Sequence, residues 1–480
     1  MLKIINRLLI LLVFIGVYSC KSQEESYAIN TYSTLNNFIE NLENSVFSGS
    51  ILVAHKGDII INKGFGKSNI EDNLDNTSST IFDIGSITKQ FTGAGILKLE
   101  MQGKLSVNDK ISRYFPEVPE DKKDITIHHL LTHSSGLIPA IGDDYEEISE
   151  QDFVSKAFKQ PLLFKSGSNY EYSNVGYSLL ALIIEKTSGV FYEEYLRNNL
   201  FSPANMNHTG YVLPKWDDKE IAIGYNRNKV WGKPNDKKWN TNAPYLNLKG
   251  NGGILSTTED LYKWHKVLDG TTILSDEAKA KYYGKHIKEG EDASSYYGYG
   301  WAIFPTSRNT DLIAHNGGNG IFFADFWRYL NEDIVIILMT NKADRQSERI
   351  CSQIASCIIY PEKELSNKNK SNDYTFDDSI IETLSNHVFL TIKDGNQENL
   401  KSFLNEYCTT NFKNMAPLET HYKFLGKMKE RLNNGKITNI NIDQDEVILE
   451  ITTNSEVFDM ILNVIQTSNN KLKIDGIMLD

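Results

Sequence analysis

The chain reads as a mixed α/β protein with an at least partly antiparallel sheet, followed by a small separate α+β domain. Three observations predict this. Gly49 to Ala54 and Asp58 to Gly64 are β-rich runs separated by His55-Lys56-Gly57, a hairpin pattern. Ile321 to Tyr329 and Asp333 to Thr340 repeat it around Leu330-Asn331-Glu332, and the apolar run Ile334 to Met339 predicts a central strand. Helix-forming stretches bracket both hairpins. Leu35, Phe38, Ile39 and Leu42 recur at i, i+3, i+4 and i+7 within Thr31 to Asn44, and a further helix is predicted from Arg345 to Ile359.

At 480 residues the chain exceeds one typical domain, and its 40% hydrophobic and 23% charged content suits a globular protein with a large core. The formal charge of -12 is spread along the chain with no basic block, which argues against a nucleic-acid backbone as the main partner. The expected organisation is a signal peptide at 1–19, a tether at 20–30, a main domain at 31–360, a charged linker at 361–373 and a small domain at 374–480.

Lys3 and Arg7 precede an apolar run from Leu8 to Val17, too short for a stable span and suited to a secretory signal. Val17-Tyr18-Ser19-Cys20 resembles a bacterial lipobox, in which cleavage leaves Cys20 as a lipidated N-terminus; Tyr18 is an unusual residue for its position. The expectation is an exported lipoprotein of a bacterial cell envelope, periplasmic or outer-membrane-associated. Cys351, Cys357 and Cys408 show neither a disulfide framework nor zinc-ribbon spacing and read as buried thiols.

In chain order, Ile81 to Leu105 reads as a loop entering a helix whose apolar positions include Ala94, Leu97 and Leu99. Ser86 and Lys89 are three apart at its start, so a helix projects both to one side. A hydroxyl becomes a useful nucleophile when a neighbour removes its proton, which an amine of lowered pKa can do. The same spacing also suits a capping serine beside a solvated lysine.

Asp109 to Pro119 predicts a short helix and a breaker, and Thr126 a cap for a helix carrying Leu130 and Leu131. His128, His129 and His133 invite a metal reading, but no acidic or thiol ligand joins them at useful spacing, so they read as locally bonded to backbone. Ser173 and Asn174 predict a turn before an apolar helix from Val175 to Ile184, which Gly189 ends. Tyr172 and Asn174 stand at its mouth, with Tyr170 and Tyr177 as candidates for core or rim.

Ser202 to Leu248 has little periodicity and is expected to line a cleft, with Trp231, Trp239 and Tyr245 read either as substrate contacts or as ordinary packing. Gly250 to Ser256 predicts a tight turn before the helix of Leu261, Trp264, Val267 and Leu268. Strands are predicted at Tyr299 to Ile303 and Leu312 to His315, the latter leading into Asn316-Gly317-Gly318-Asn319-Gly320. Beyond the linker, helices are expected at Ile380 to Leu390, Leu400 to Tyr407 and Tyr422 to Asn433. Strands follow at Ile437 to Ile442, Glu446 to Thr452 and Leu472 to Met478.

Three polar clusters thus stand at turns: Ser86-Ile87-Thr88-Lys89, Tyr172-Ser173-Asn174 and His315-Asn316-Gly317. Their order and spacing resemble the serine β-lactamase-like hydrolases: class C β-lactamases, D-alanyl-D-alanine carboxypeptidases, D-aminopeptidases and related esterases. That pattern is S-x-x-K, then Y-x-N, then K-T-G or H-x-G on a strand. HHLLTHSSGL, GYSLLALIIEKTSG and GGILSTTEDLYKW add to the likeness, which covers about Asn30 to Tyr360.

The resemblance implies an antiparallel sheet flanked by helices plus an all-helical subdomain, with the cleft between them. It implies Ser86 as nucleophile, Lys89 and Tyr172 exchanging its proton, and the Ser86 and Gly318 N–H groups at the oxyanion. Asn174, His315 and Gly317 would position substrate. Which of Lys89 and Tyr172 acts as base stays open. A lysine in the third box offers a permanent cation to a substrate carboxylate, whereas His315 is mostly neutral above a pKa of about 6.5, which points away from efficient penicillin hydrolysis.

The expected activity is hydrolysis of an amide or ester through a Ser86 acyl-enzyme, on a D-amino-acid-containing peptide or a small ester, with no cofactor. The alternatives are a β-lactamase proper, a peptidoglycan-binding protein that keeps the boxes without turnover, and a metal hydrolase built on the three histidines. Oligomeric state is open.

Overall fold

The computed structural model describes residues 32–226, 229–236, 244–290, 293–361, 378–409, 412–413, 418–443, 446–454, 456–466 and 471–479. The expected signal peptide, Cys20, the tether, Trp239 and the linker beyond Pro361 lie outside the described residues. The chain forms two compact units, Met1–Leu365 and Ser366–Asp480.

The first unit is organised on an eight-stranded antiparallel sheet. From edge to edge its strands are Asp58–Phe65, Gly49–His55, Ile334–Thr340, Phe323–Tyr329, Asp311–Gly318, Ala302–Pro305, Tyr296–Tyr297 and Ile287–Lys288. Side chains alternate across a strand. Ile51, Val53, Ile336 and Leu338 meet helix 32–43 and helix Arg345–Ile359, while Leu52, Ala54, Ile337 and Met339 face a larger helical core. Both faces are covered, which is why Ile334 to Met339 of this strand is apolar without alternation.

That larger core is the helical part of the unit. It holds Thr88–Met101, Ile127–Leu131, Glu150–Lys159, Asn174–Ser188 and Tyr192–Leu196. Thr88–Met101 and Asn174–Ser188 are buried around most of their circumference; the second is apolar on most faces, while the first also buries Thr88, Lys89, Gln90 and Thr92. Ser173 caps the second, its side chain accepting from Gly176 N, and Gly189 at φ +78° ends it.

Some expected elements differ. Tyr299 to Ile303 is not one strand: Gly300 takes φ +87°, and a β-carbon there would lie 2.5 Å from the Lys89 carbonyl oxygen. The strand breaks there to let the start of helix Thr88–Met101 approach. Between Asp109 and Pro119 only a single 3-10 turn forms, Ile111–Arg113. Ser202 to Leu248, which shows little periodicity, contains the short pair Gly224–Asn226 and Lys229–Gly232.

The second unit is a four-stranded antiparallel meander, Lys436–Asp443, Glu446–Thr452, Val457–Gln466 and Leu472–Leu479. Helices Asp378–Asp394, Gln397–Tyr407 and Leu418–Leu432 pack on it around Leu425, Leu449 and Met460. The sequence reading missed Val457–Gln466, where Asp459 and Asn463 interrupt the apolar pattern. Among the described residues no helix is long and apolar enough to cross a membrane.

Candidate active site

Ser86 is presented by a sharply constrained turn. Phe82–Asp83 pairs with Leu255–Ser256, and Ile84 N–H donates to the Ile254 carbonyl at 3.0 Å. Asp83 Oδ1 then accepts the Gly85 N–H at 2.7 Å, and Gly85 takes φ +49°. The resulting 3-10 turn, Gly85–Ile87, runs directly into helix Thr88–Met101. Ser86 therefore sits at a helix start, where the first N–H groups lack intrahelical acceptors.

Lys89, one turn on, is fully buried. Its Nζ lies 3.1 Å from Ser86 Oγ, 2.8 Å from Asn174 Oδ1 and 2.7 Å from the Asn251 carbonyl oxygen. It stands over the Tyr172 ring, 4.6 Å from the centroid. Burial drives its pKa well below that of a free lysine, against a smaller pull from Asp144. A neutral amine has two hydrogens and one lone pair. In the neutral form the oxygens of Asn174 and Asn251, which accept, engage both hydrogens and the lone pair is left to the Ser86 hydroxyl; in the ammonium form a third hydrogen is donated to Ser86 Oγ.

Tyr172 behaves oppositely. The residue is half-buried, and burial raises the pKa of its phenol; interaction with Ser86 lowers it less strongly, and Glu289 raises it further. Neighbouring Asn174 is the first residue of its helix rather than part of the preceding turn. His133 fastens this segment. Its Nδ1 accepts the Ser173 N–H at 3.0 Å, its carbonyl accepts the Glu171 N–H at 2.9 Å, and its ring lies 4.2 Å from the Tyr172 ring. Tyr170, Tyr177 and Tyr297 complete an aromatic enclosure around it, so Tyr177 belongs to the core and Tyr170 to its rim. With Nδ1 accepting, Nε2 carries the proton of a neutral ring, which burial maintains.

The third cluster arrives on strand Asp311–Gly318. Asn319 N–H donates to the Phe322 carbonyl, so hydrogen-bonded pairs fall at Asn319 with Phe322 and Gly317 with Ala324. Gly318 lies between them, and its N–H points away from the neighbouring strand. On that other side pairing with Ala302–Pro305 has already stopped at Ala314. The Gly318 N–H is left facing the Ser86 turn. Contact is close enough to require glycine on both sides: a β-carbon on Gly317 would stand 2.3 Å from Ser86 N, and one on Gly85 would stand 2.4 Å from Gly318 N.

His315 is set one step back. Nε2 accepts from the Tyr297 hydroxyl at 2.9 Å and Nδ1 donates to the Asn316 carbonyl. Burial, with Lys89 nearby, pushes its pKa down to about 3, so the ring is neutral and both nitrogens are engaged. His129 closes a capping box with Thr126, and His128 bonds the Tyr299 hydroxyl at 2.8 Å. The three histidines near residue 130 thus serve separate local contacts. Among the described residues no group of three potential ligands is arranged for a metal. Trp231 packs beside Tyr145 and Phe322, and Tyr245 is buried.

Ser86, Lys89, Tyr172 and Asn174 are brought into one cluster, with Gly317 and Gly318 against it. Sequence reasoning missed Asn251, whose contribution is a backbone oxygen and leaves no side-chain signature beyond the glycines around it. It also missed the way Asp83 and His133 hold the two boxes in place.

Known proteins resemble this chain in sequence and in fold. Residues 35–354 match a family model described as Beta-lactamase. Penicillin-binding protein 4* of Bacillus subtilis is 29% identical, over 69% of this chain and 78% of its own length. Putative penicillin-binding protein PbpX of the same organism is 32% identical, over 60% of this chain and 69% of its own length. Among solved structures, a Bacillus halodurans penicillin-binding protein aligns over 67% of this chain and 98% of its own, at TM-score 0.57 and 27% identity. An octameric penicillin-binding protein homologue from Pyrococcus abyssi shares the fold over 93% of this chain and 94% of its own, at TM-score 0.60 and 23% identity.

Proposed function

This chain belongs to the beta-lactamase family, and on that premise we propose that it hydrolyses an amide or ester through an acyl-enzyme at Ser86. The observation that carries the reading is the Lys89 amine, held 3.1 Å from Ser86 Oγ with two other acceptors engaging its hydrogens. Ser86 Oγ attacks the carbonyl carbon while its proton passes to Lys89. The Ser86 and Gly318 N–H groups receive the developing oxyanion. The proton then reaches the leaving amine or alcohol, with Tyr172 on the path, and water releases the acyl group. The opposite shifts of Lys89 and Tyr172 favour the amine as base, because a phenol raised above its ordinary value is a poor source of phenolate near neutrality.

A D-amino-acid-containing peptide or a small ester is the favoured substrate. A neutral His315 with both nitrogens engaged supplies no cation for a penicillin carboxylate, so β-lactamase activity is the weaker reading. The signal-like N-terminus supports export with a lipid anchor at Cys20, which palmitate labelling of native protein and Cys20→Ser tests. For catalysis, a fluorophosphonate probe and p-nitrophenyl acetate are offered to native protein and Ser86→Ala. Labelling and turnover confined to native protein support the proposal. An unlabelled native protein that turns over no ester leaves the binding-protein reading.

A further inference from the structure

Asp83 and Asn319 belong to neither the nucleophile cluster nor the sheet core, yet they join the two strands of chain that supply the oxyanion N–H groups. Asp83 is 3% exposed. Its Oδ1 accepts the Gly85 N–H at 2.7 Å, and its Oδ2 accepts from Asn319 Nδ2 at 3.3 Å. Asn319 uses its other amide atom: Oδ1 accepts the Ile321 N–H at 3.0 Å and the Phe322 N–H at 2.8 Å. That closes the turn immediately after Gly318. One carboxylate and one carboxamide thus link the residue before Ser86 to the residue after Gly318.

We propose that the Asp83–Asn319 pair is a positioning strut that sets the separation of the Ser86 and Gly318 N–H groups. The proposal rests on Ser86 and Gly318 forming the oxyanion site. An oxyanion donor acts only when charge develops, so misplacing one slows the chemical step without weakening ground-state binding. Steric contact between Gly85 and Gly317–Gly318 limits how closely the two segments approach, and the strut limits how far they separate. Burial raises Asp83 to about 7, against the Gly85 hydrogen bond and with Asp144 reinforcing it. A carboxyl held there at a cost of solvation, with no cation paired to it among the bonds it makes, fits a role other than simple stabilisation.

The chemistry of the pair allows a reciprocal exchange. In Asp83→Asn the new amide nitrogen faces the Asn319 amide nitrogen, donor against donor. In Asn319→Asp two carboxyl groups face each other, which repel once both are ionised, so that variant is read at a pH well above 7. Combining Asp83→Asn with Asn319→Asp restores the hydrogen bonds between the two side chains and those to Gly85, Ile321 and Phe322, while the contact of position 319 with Tyr145 changes. The carboxamide then at position 83 accepts from Gly85 and donates to the carboxylate then at position 319, which accepts from Ile321 and Phe322 as before.

The experiment measures fluorophosphonate labelling of Ser86 in the full chain, separating kinact from KI, with melting temperature followed for every variant. Asp83→Asn and Asn319→Asp are each expected to lower kinact about ten- to hundred-fold, a fraction of the loss on removing an oxyanion donor. KI is expected to stay near the native value, and the double variant is expected to recover most of kinact. Folded single variants with native kinact overturn the strut, as does a folded double variant with no recovery. Asn319→Ala, at a half-buried position, covers the case in which a charged or mismatched variant fails to fold; native kinact there overturns the proposal as well. If instead Ser86→Ala is still labelled at the native rate, the catalytic assignment fails, which is a separate result from any behaviour of Asp83.

Discussion

The two units of the chain bury different things. The core of the second unit is built from residues such as Leu400, Phe403, Leu425, Leu449 and Met460, with Ser385 and His421 among its few buried polar groups. The first unit has a larger apolar core and also encloses Lys89, Asp83, His133, His315, Asp325 and Arg328. Apolar packing alone is the cheaper way to hold a fold, because each buried polar or ionisable group must recover its lost solvation through hydrogen bonds. The contrast teaches where chemistry is expected: in the unit that buries titratable groups and shifts them, at the point where several such groups meet.

The comparison is broken most directly at Lys89. Lys89→Met retains length and burial but removes the lone pair, and Ser86 labelling is expected to fall by about 10²- to 10⁴-fold, the usual worth of a general base. A variant labelled at the native rate would assign the base elsewhere, Tyr172 first.

The next effect is on pH. Because burial lowers the pKa of Lys89, its neutral form is populated further down the pH scale than in a free lysine. The labelling rate is expected to rise with pH along a limb centred well below 10.5, the ordinary lysine value, and then level. A limb centred at the ordinary lysine value would mean that Lys89 works as a cation.

A smaller effect is expected at His133. His133→Ala empties the space between Tyr170, Tyr172, Tyr177 and Tyr297 and leaves the Ser173 N–H without its acceptor. The expected loss is about 2–4 kcal/mol of stability. Labelling should slow about ten- to hundred-fold through displacement of Tyr172 and Asn174. Thermal unfolding and the labelling rate measured together separate the two.

The smallest effect on catalysis is expected in the second unit. Leu425→Ala should cost that core about 2–5 kcal/mol while leaving the Ser86 labelling rate of folded protein unchanged. Calorimetry beside labelling is the check. A parallel fall in labelling would give the second unit a part in the site and erase the contrast.

Much of this organisation was legible in the sequence because local patterns carry it. Helix Arg345–Ile359 and strand Glu446–Thr452 match their expected bounds, and the Gly49–Gly64 hairpin forms where its turn residues predict. Errors came where tertiary contact overrides pattern. Tyr299–Ile303 reads as a strand until Gly300 must pass the Lys89 backbone. Asn174 reads as turn until Ser173 caps the helix one residue earlier. At the site, the residues were legible but their states were not. Ser86, Lys89, Tyr172 and Asn174 could be named from order and spacing, whereas the choice between amine and phenol as base stayed open.

The sequence by itself determined the elements, the order of the three boxes and the three-residue spacing that puts Ser86 and Lys89 on one side of a helix. Those depend on neighbours a few residues apart. Only the tertiary structure decided the surroundings of Lys89. Its acceptors Asn174 and Asn251 lie 85 and 162 residues away in the chain, and its burial comes from packing of the whole unit. Protonation follows solvent access and distant partners, which a local pattern does not carry.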